Sequence, residues 1–211
     1  IDNVEAIPLD YELIVLVDVS KSMSYTYLGR KRIDVAKSFL VKLLETSNCS
    51  VHIAFFAGKI EGEFTGKPEE AKLKVKSVKA EYNYTSIGDA LIYSISRYRA
   101  SGKPAVVLLV TDGGNNGGSN PLEAAEQLKL KGIPLIAVQV GVGESADKSL
   151  VKEVCSKANG HFYTISSSPE AIASLAADLA RKAKYEALKA SGKTEVEIPC
   201  RDYETPEKWF K

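Results

Sequence analysis

Five runs of apolar, mostly β-branched residues constrain this chain more than any other feature. Glu12 to Asp18 reads Glu-Leu-Ile-Val-Leu-Val-Asp, and Val51 to Ala57, Ala105 to Thr111, Pro134 to Val140 and Phe162 to Ile165 are built alike. An exposed antiparallel strand would alternate apolar with polar. Unbroken runs belong to strands covered by helices on both faces. Lys59 to Thr65 is more polar, follows Val51 to Ala57 across Gly58, and reads as an antiparallel edge strand.

Between the runs lie helical periodicities. Ile33, Ala36, Phe39, Leu40, Leu43 and Leu44 recur at three- and four-residue steps, as do Ile87, Ala90, Leu91, Ser94 and Ile95 in the segment from Ser86 to Arg99. Pro121 opens a helix that Gly132 ends, and Ser168-Pro169-Glu170 caps a last one running to Ala190. The order β-α-β-β-α-β-α-β-α-β-α predicts a doubly wound α/β fold. Its sheet has six strands, mostly parallel, with one antiparallel edge strand and helices on both faces. The domain is expected over residues 1–190, with 191–211 an extension or linker.

Ligands of open α/β sheets bind outside the carboxyl ends of the strands. Asp18-Val19-Ser20-Lys21-Ser22 follows the first strand, Thr111-Asp112-Gly113-Gly114 the fourth, and Asn83-Tyr84-Thr85-Ser86 precedes a helix at the same end. Together these offer two carboxylates and three hydroxyls. Hard oxygen donors suit Mg²⁺, Mn²⁺ or Ca²⁺ and not zinc or copper. Two carboxylates side by side in a partly buried place either share a cation or drive one to protonate.

These segments resemble the metal ion-dependent adhesion site of von Willebrand factor A domains. The resemblance rests on Asp18-Val-Ser20-Lys-Ser22-Met, on Thr85 leading into Ile87-Gly88-Asp89-Ala90-Leu91, and on Val110-Thr111-Asp112-Gly113, and it runs from Tyr11 to Ala183. Arg32-Ile33 with Ala36-Lys37, and Asn115-Asn116-Gly117 followed by Pro121, look most like prokaryotic members, including Bat-type proteins associated with MoxR ATPases. The resemblance implies Ser20, Ser22 and Thr85 as direct ligands, with Asp18 and Asp112 acting directly or through water. A cation held mainly by neutral hydroxyls stays under-neutralised. An acidic side chain from another molecule then completes its shell of about six oxygens. The implied partner is a protein presenting Asp or Glu, such as a MoxR-type AAA+ ATPase or a surface protein. Tyr25, Tyr27, Tyr84, Asn115 and Asn116 would form the rim that selects it.

Other chemistries fit less well. Haloacid dehalogenase phosphatases need a carboxylate where Ser20 stands. Gly192-Lys193-Thr194 lacks the upstream glycine and the strand of a P-loop, and Gly141-Val142-Gly143 lacks the third glycine of a dinucleotide fingerprint. His52 and His161 begin strands, so they lie away from Ser20, and Ser145 with Lys148 sits in a polar loop. With 28 Lys plus Arg against 27 Asp plus Glu, and no basic run, nothing favours nucleic acid. Cys49, Cys155 and Cys200 form no CxxC pair and read as reduced thiols, a Cys49–Cys200 bridge being the alternative. The sequons at Asn48 and Asn83 read as unmodified.

The chain begins at Ile1, which suggests a processed piece, and no apolar stretch is long enough to span a bilayer. A cytoplasmic setting is favoured, with an excised fragment of a membrane-anchored protein as the alternative. The resulting reading is a metal-dependent interaction module and not an enzyme. Its rivals are a metal-dependent hydrolase or phosphatase at the same site, and a structural domain without a carboxylate-bearing partner.

Overall fold

The structure, a computed structural model, describes residues 10–141, 148–165 and 167–192. Eight strands and six α-helices follow in order: β1 (Glu12–Asp18), β2 (Thr26–Tyr27), β3 (Arg30–Lys31), α1 (Arg32–Thr46), β4 (Ser50–Phe56), β5 (Ile60–Gly66), α2 (Pro68–Ser77), α3 (Ile87–Ser101), β6 (Ala105–Thr111), α4 (Pro121–Leu130), β7 (Leu135–Val140), α5 (Lys148–Ala158), β8 (His161–Ile165) and α6 (Pro169–Ala190). The main sheet has six strands in the order β5-β4-β1-β6-β7-β8. Only the β4–β5 pair is antiparallel. The expected doubly wound architecture is therefore present, with β5 as its antiparallel edge.

The unbroken runs do what their composition requires. Every residue of β1 and of β6 is buried. Leu13, Val15 and Val17 face a core completed by α1, α2 and α6, whereas Ile14 and Leu16 face one completed by α3, α4 and α5. Truncating a residue such as Leu16 to Ala would cost about 2–5 kcal/mol, because a two-sided layer cannot collapse onto the cavity.

Two features were not anticipated. α2 is a full helix, yet it buries only Ala71 and Val75, so it carries no long apolar stripe. Its local signals are Pro68 in the first turn, Glu69 and Glu70 beside it, and Lys74 and Lys76 in the last turn, which suits the macrodipole. The second is the β2–β3 hairpin. Its turn puts Leu28 at φ +47° and Gly29 at φ +79°, the two positive angles that a tight twisted hairpin demands.

Winding reverses at β1: the chain builds β4 and β5 on one side of it, then returns to lay β6, β7 and β8 on the other. A crevice opens at such a switch point, outside the carboxyl ends of β1 and β6. Asp18 ends β1, and Asp112 directly follows β6.

Candidate metal centre

Asp18 and Asp112 are both fully buried. The Asp18 carboxylate is oriented from two directions: the Ser20 amide donates to Oδ1 at 2.8 Å, and the Thr111 hydroxyl donates to Oδ2 at 2.7 Å. The first bond curls the chain so that Ser20 and Ser22 fall on one side, their hydroxyl oxygens 3.1 Å apart. A short 3-10 turn over Lys21–Ser24 follows, anchored by fully buried Met23.

The loop carrying Thr85 is fastened to this corner by backbone bonds. Ser20 bridges Tyr82, the Lys21 amide donates to the Tyr82 carbonyl at 2.8 Å, and the Ser86 amide donates to the Ala57 carbonyl at 2.8 Å. The loop after β6 is latched to it in turn. The Asn116 Oδ1 accepts from the Thr85 amide at 2.7 Å, and the Asn115 Oδ1 accepts from the Ile87 amide at 2.9 Å. The fit tolerates no side chain at Gly88, where a Cβ would stand 2.0 Å from the Ser119 carbonyl oxygen. Gly118, at φ +72°, would press one against the Ser86 hydroxyl.

Direct hydrogen bonds thus unite Asp18, Ser20 and Ser22. Thr85 and Asp112 stand buried on the two adjoining loops, and among the described residues no hydrogen bond ties either to the serine pair. Asn115 and Asn116, read from sequence as rim residues, have a scaffolding job that sequence did not disclose. Of the expected aromatic rim, Tyr25 and Tyr84 are exposed, as is Leu28, while Tyr27 is half-buried. Tyr84 adopts φ +64°, a conformation that costs a bulky residue of order 1–3 kcal/mol and that presents its ring to solvent.

Electrostatics set this corner apart. Burial, and after it the negative charge of Asp112, push the Asp18 carboxyl up to about 7, against the downward pull of the Ser20 and Thr111 hydrogen bonds. Asp112 has a partner that sequence did not reveal. The Arg32 guanidinium, buried at the start of α1, donates to its Oδ2 at 2.9 Å, while Oδ1 accepts from the Gly114 amide at 3.3 Å. Among the described residues, one guanidinium stands against the two buried carboxylates, so negative charge is in excess there whenever Asp18 is ionised. No three His, Cys, Asp or Glu side chains cluster for a metal among the described residues. A cation here would depend on hydroxyl oxygens beside the two carboxylates, a donor set that suits a hard divalent ion.

The fold and the corner define a class: an open doubly wound α/β domain with a hydroxyl-and-carboxylate site built on loops at its switch point. A family model for the von Willebrand factor type A domain matches residues 12–178, and the chain belongs to this family. It is 31% identical over 159 residues to the mouse (Mus musculus) collagen alpha-6(VI) chain, spanning 67% of this chain and 6% of that relative. An aerotolerance-related membrane protein from Bacteroides fragilis superposes with a TM-score of 0.67 at 20% identity, covering 84% of this chain and 98% of that one. Proximal thread matrix protein 1 from the mussel byssus, solved with a zinc-occupied MIDAS motif, superposes with a TM-score of 0.61 at 24% identity, covering 82% and 47%. At these identities the two solved structures speak for the fold alone.

Proposed function

We propose that this protein is a metal-dependent interaction module that captures an acidic side chain of a partner protein. Ser20, Ser22 and Thr85 would hold a divalent cation, Mg²⁺ or Mn²⁺ (with Ca²⁺ as a further candidate), and Asp18 and Asp112 would supply charge and orient its water. The bound ion would supply Lewis acidity toward an external carboxylate. The observation that carries this reading is the pair of fully buried carboxylates, with the Asp18 carboxyl raised to about 7 beside a pair of serine hydroxyls. Membership of a family represented in collagen chains and matrix proteins supports adhesion over turnover. The zinc-occupied motif of the byssus protein supports metal capacity in a site of this kind and adds zinc to the ions worth testing.

The chain's own residues divide the remaining work. Thr111 and the Ser20 amide orient Asp18, and Gly114 and Arg32 orient Asp112. Asn115 and Asn116 hold the Thr85 loop against the loop that follows β6. Tyr25, Tyr27 and Tyr84, together with Leu28, would contact the partner around the captured carboxylate. The histidines lie elsewhere: His52 pairs with Ile14 in the amino-terminal half of β1, and His161 begins β8. No imidazole therefore stands beside Ser20 or Ser22 to act as a general base.

Capture on a resin bearing a Glu-containing peptide tests the proposal. Retention in Mg²⁺, elution by EDTA and no retention of Asp18→Ala are expected. Turnover of a phosphate ester that depends on Mg²⁺ and disappears in Asp18→Asn would move the assignment to a hydrolase.

A further inference from the structure

We infer that Lys21 is a second anchor for the partner: its ammonium takes a second carboxylate of an extended acidic segment whose first carboxylate goes to the metal. The inference rests on the metal-site reading above. It narrows the partner from any exposed Asp or Glu to a pair of acids two residues apart.

Lys21 stands between two of the proposed ligands, Ser20 and Ser22, and its Cα lies about 3.8 Å from each of theirs across the peptide bonds. Its main chain is pinned at both ends. The amide donates to the Tyr82 carbonyl at 2.8 Å, and the carbonyl accepts from the Ser24 hydroxyl at 2.7 Å. Fully buried Met23 holds the turn to which it belongs. The root of the side chain is therefore fixed, while the residue itself is exposed. Lysines elsewhere meet carboxylates, as Lys42 does Glu45, Lys72 does Glu69 and Lys103 does Asp10. Among the described residues nothing pairs with the Lys21 ammonium, and exposed Glu81, next to Tyr82, forms no ion pair with it. A cation is thus held beside two ligand hydroxyls with its charge free for another molecule.

Chain geometry says what that molecule must present. On an extended peptide, side chains two residues apart project from the same face, about 7 Å from each other. The four-carbon stem of a lysine rooted next to the serines spans a gap of that size. Adjacent acids point to opposite faces, so a directly neighbouring carboxylate is turned away from Lys21. The contact is open to solvent and adds modestly to affinity, acting more through selection and encounter rate. A lysine that is merely solvated predicts no dependence on a second acid in the partner.

The test is titration of the full chain in Mg²⁺, at low ionic strength, with the blocked peptides Gly-Glu-Ala-Glu-Gly and Gly-Gln-Ala-Glu-Gly. Lys21→Gln is expected to bind the two-acid peptide about threefold more weakly than the parent does, and the one-acid peptide within about 1.5-fold, the size of an exposed ion pair. Lys21→Arg should restore both affinities. The difference between the peptides that depends on Lys21 should vanish at about 1 M NaCl, where charges are screened within about 3 Å. Lys131→Gln makes the same charge change past the far end of α4 and should match the parent on both peptides. Equal losses on the two peptides, no loss on either, or an equal loss in Lys131→Gln overturns the inference and leaves the metal site standing. A parent that binds neither peptide in Mg²⁺ or Mn²⁺ overturns the metal-site reading, and the inference with it.

Discussion

The two ends of the central sheet treat buried charge in opposite ways. At the amino end, Glu12 is 2% exposed yet fully matched, since Arg97 meets it with two bonds of 2.8 and 2.7 Å. His52 nearby has both ring nitrogens engaged, by Thr65 and Tyr93 at 2.7 Å each, and the Tyr93 hydroxyl continues to Glu63. At the carboxyl end the Arg32 guanidinium bonds Asp112, and the other buried carboxyl, Asp18, is driven far from its ordinary titration range. The first end is finished within the chain and serves stability. The second is left negative at the switch point of the sheet, where loops meet solvent. The comparison teaches which buried charges to read as function: those that the fold does not neutralise.

The largest expected effect breaks the matched end. Arg97→Met strands Glu12 as a buried unpaired carboxylate and should lower stability by about 3 kcal/mol in urea melts, with Arg97's partial exposure holding the loss at the low end of such cases. Its response to Mg²⁺ should be that of the parent. A changed Mg²⁺ response would mean that the two ends are not separate.

The unmatched end should behave inversely. A carboxyl raised above its unfolded value of 3.8 holds its proton longer in the folded state than in the unfolded one. In EDTA, stability should therefore fall as pH rises from about 4 to about 7, and level off above that. Asp18→Asn should remove most of this slope and should be more stable than the parent at pH 8 by about 2 kcal/mol. Thermal melts across pH with and without Mg²⁺ check both statements.

His52 gives the opposite sign with a smaller amplitude. Burial, and then the charge of Arg97, lower its titration below the ordinary imidazole value of 6.5. Its contribution is present above pH 6.5 and is lost on acidification through the lowered value. His52→Gln should flatten the acid limb of the stability curve and leave the Asp18 slope untouched. The smallest effect belongs to the rim. Tyr84→Ala should change stability by under about 0.5 kcal/mol, as an exposed substitution, while reducing retention on the Glu-peptide resin.

The sequence disclosed the sheet and the corner unevenly, for physical reasons. β1, β4, β6 and β7 were legible because burial on both faces forces unbroken apolar composition, and the residues at their ends follow from counting. α2 was not, because a helix that buries Ala71 and Val75 and exposes Leu73 shows no stripe. Arg32 and Asp112 are 80 residues apart, and no local period links a helix's first residue to the end of a strand. A cation at a helix start was the one available signal. Asn115 and Asn116 looked like surface residues because a side chain that latches a loop is polar like its exposed neighbours. Ser145, the segment Val142–Gly143, Cys200 and the extension beyond Gly192 lie outside the described residues, while Lys148 begins α5.

A divalent cation would match the charge left over at the carboxyl end. Calorimetric titration of the intact chain with Mg²⁺ tests it most directly, beside Asp18→Ala, Ser20→Ala and the Arg97→Met control. One ion per chain for the parent and the control, with none for the other two, is the predicted result. Binding that survives in Asp18→Ala, or a parent that takes up no Mg²⁺, Mn²⁺ or Ca²⁺, would contradict the account.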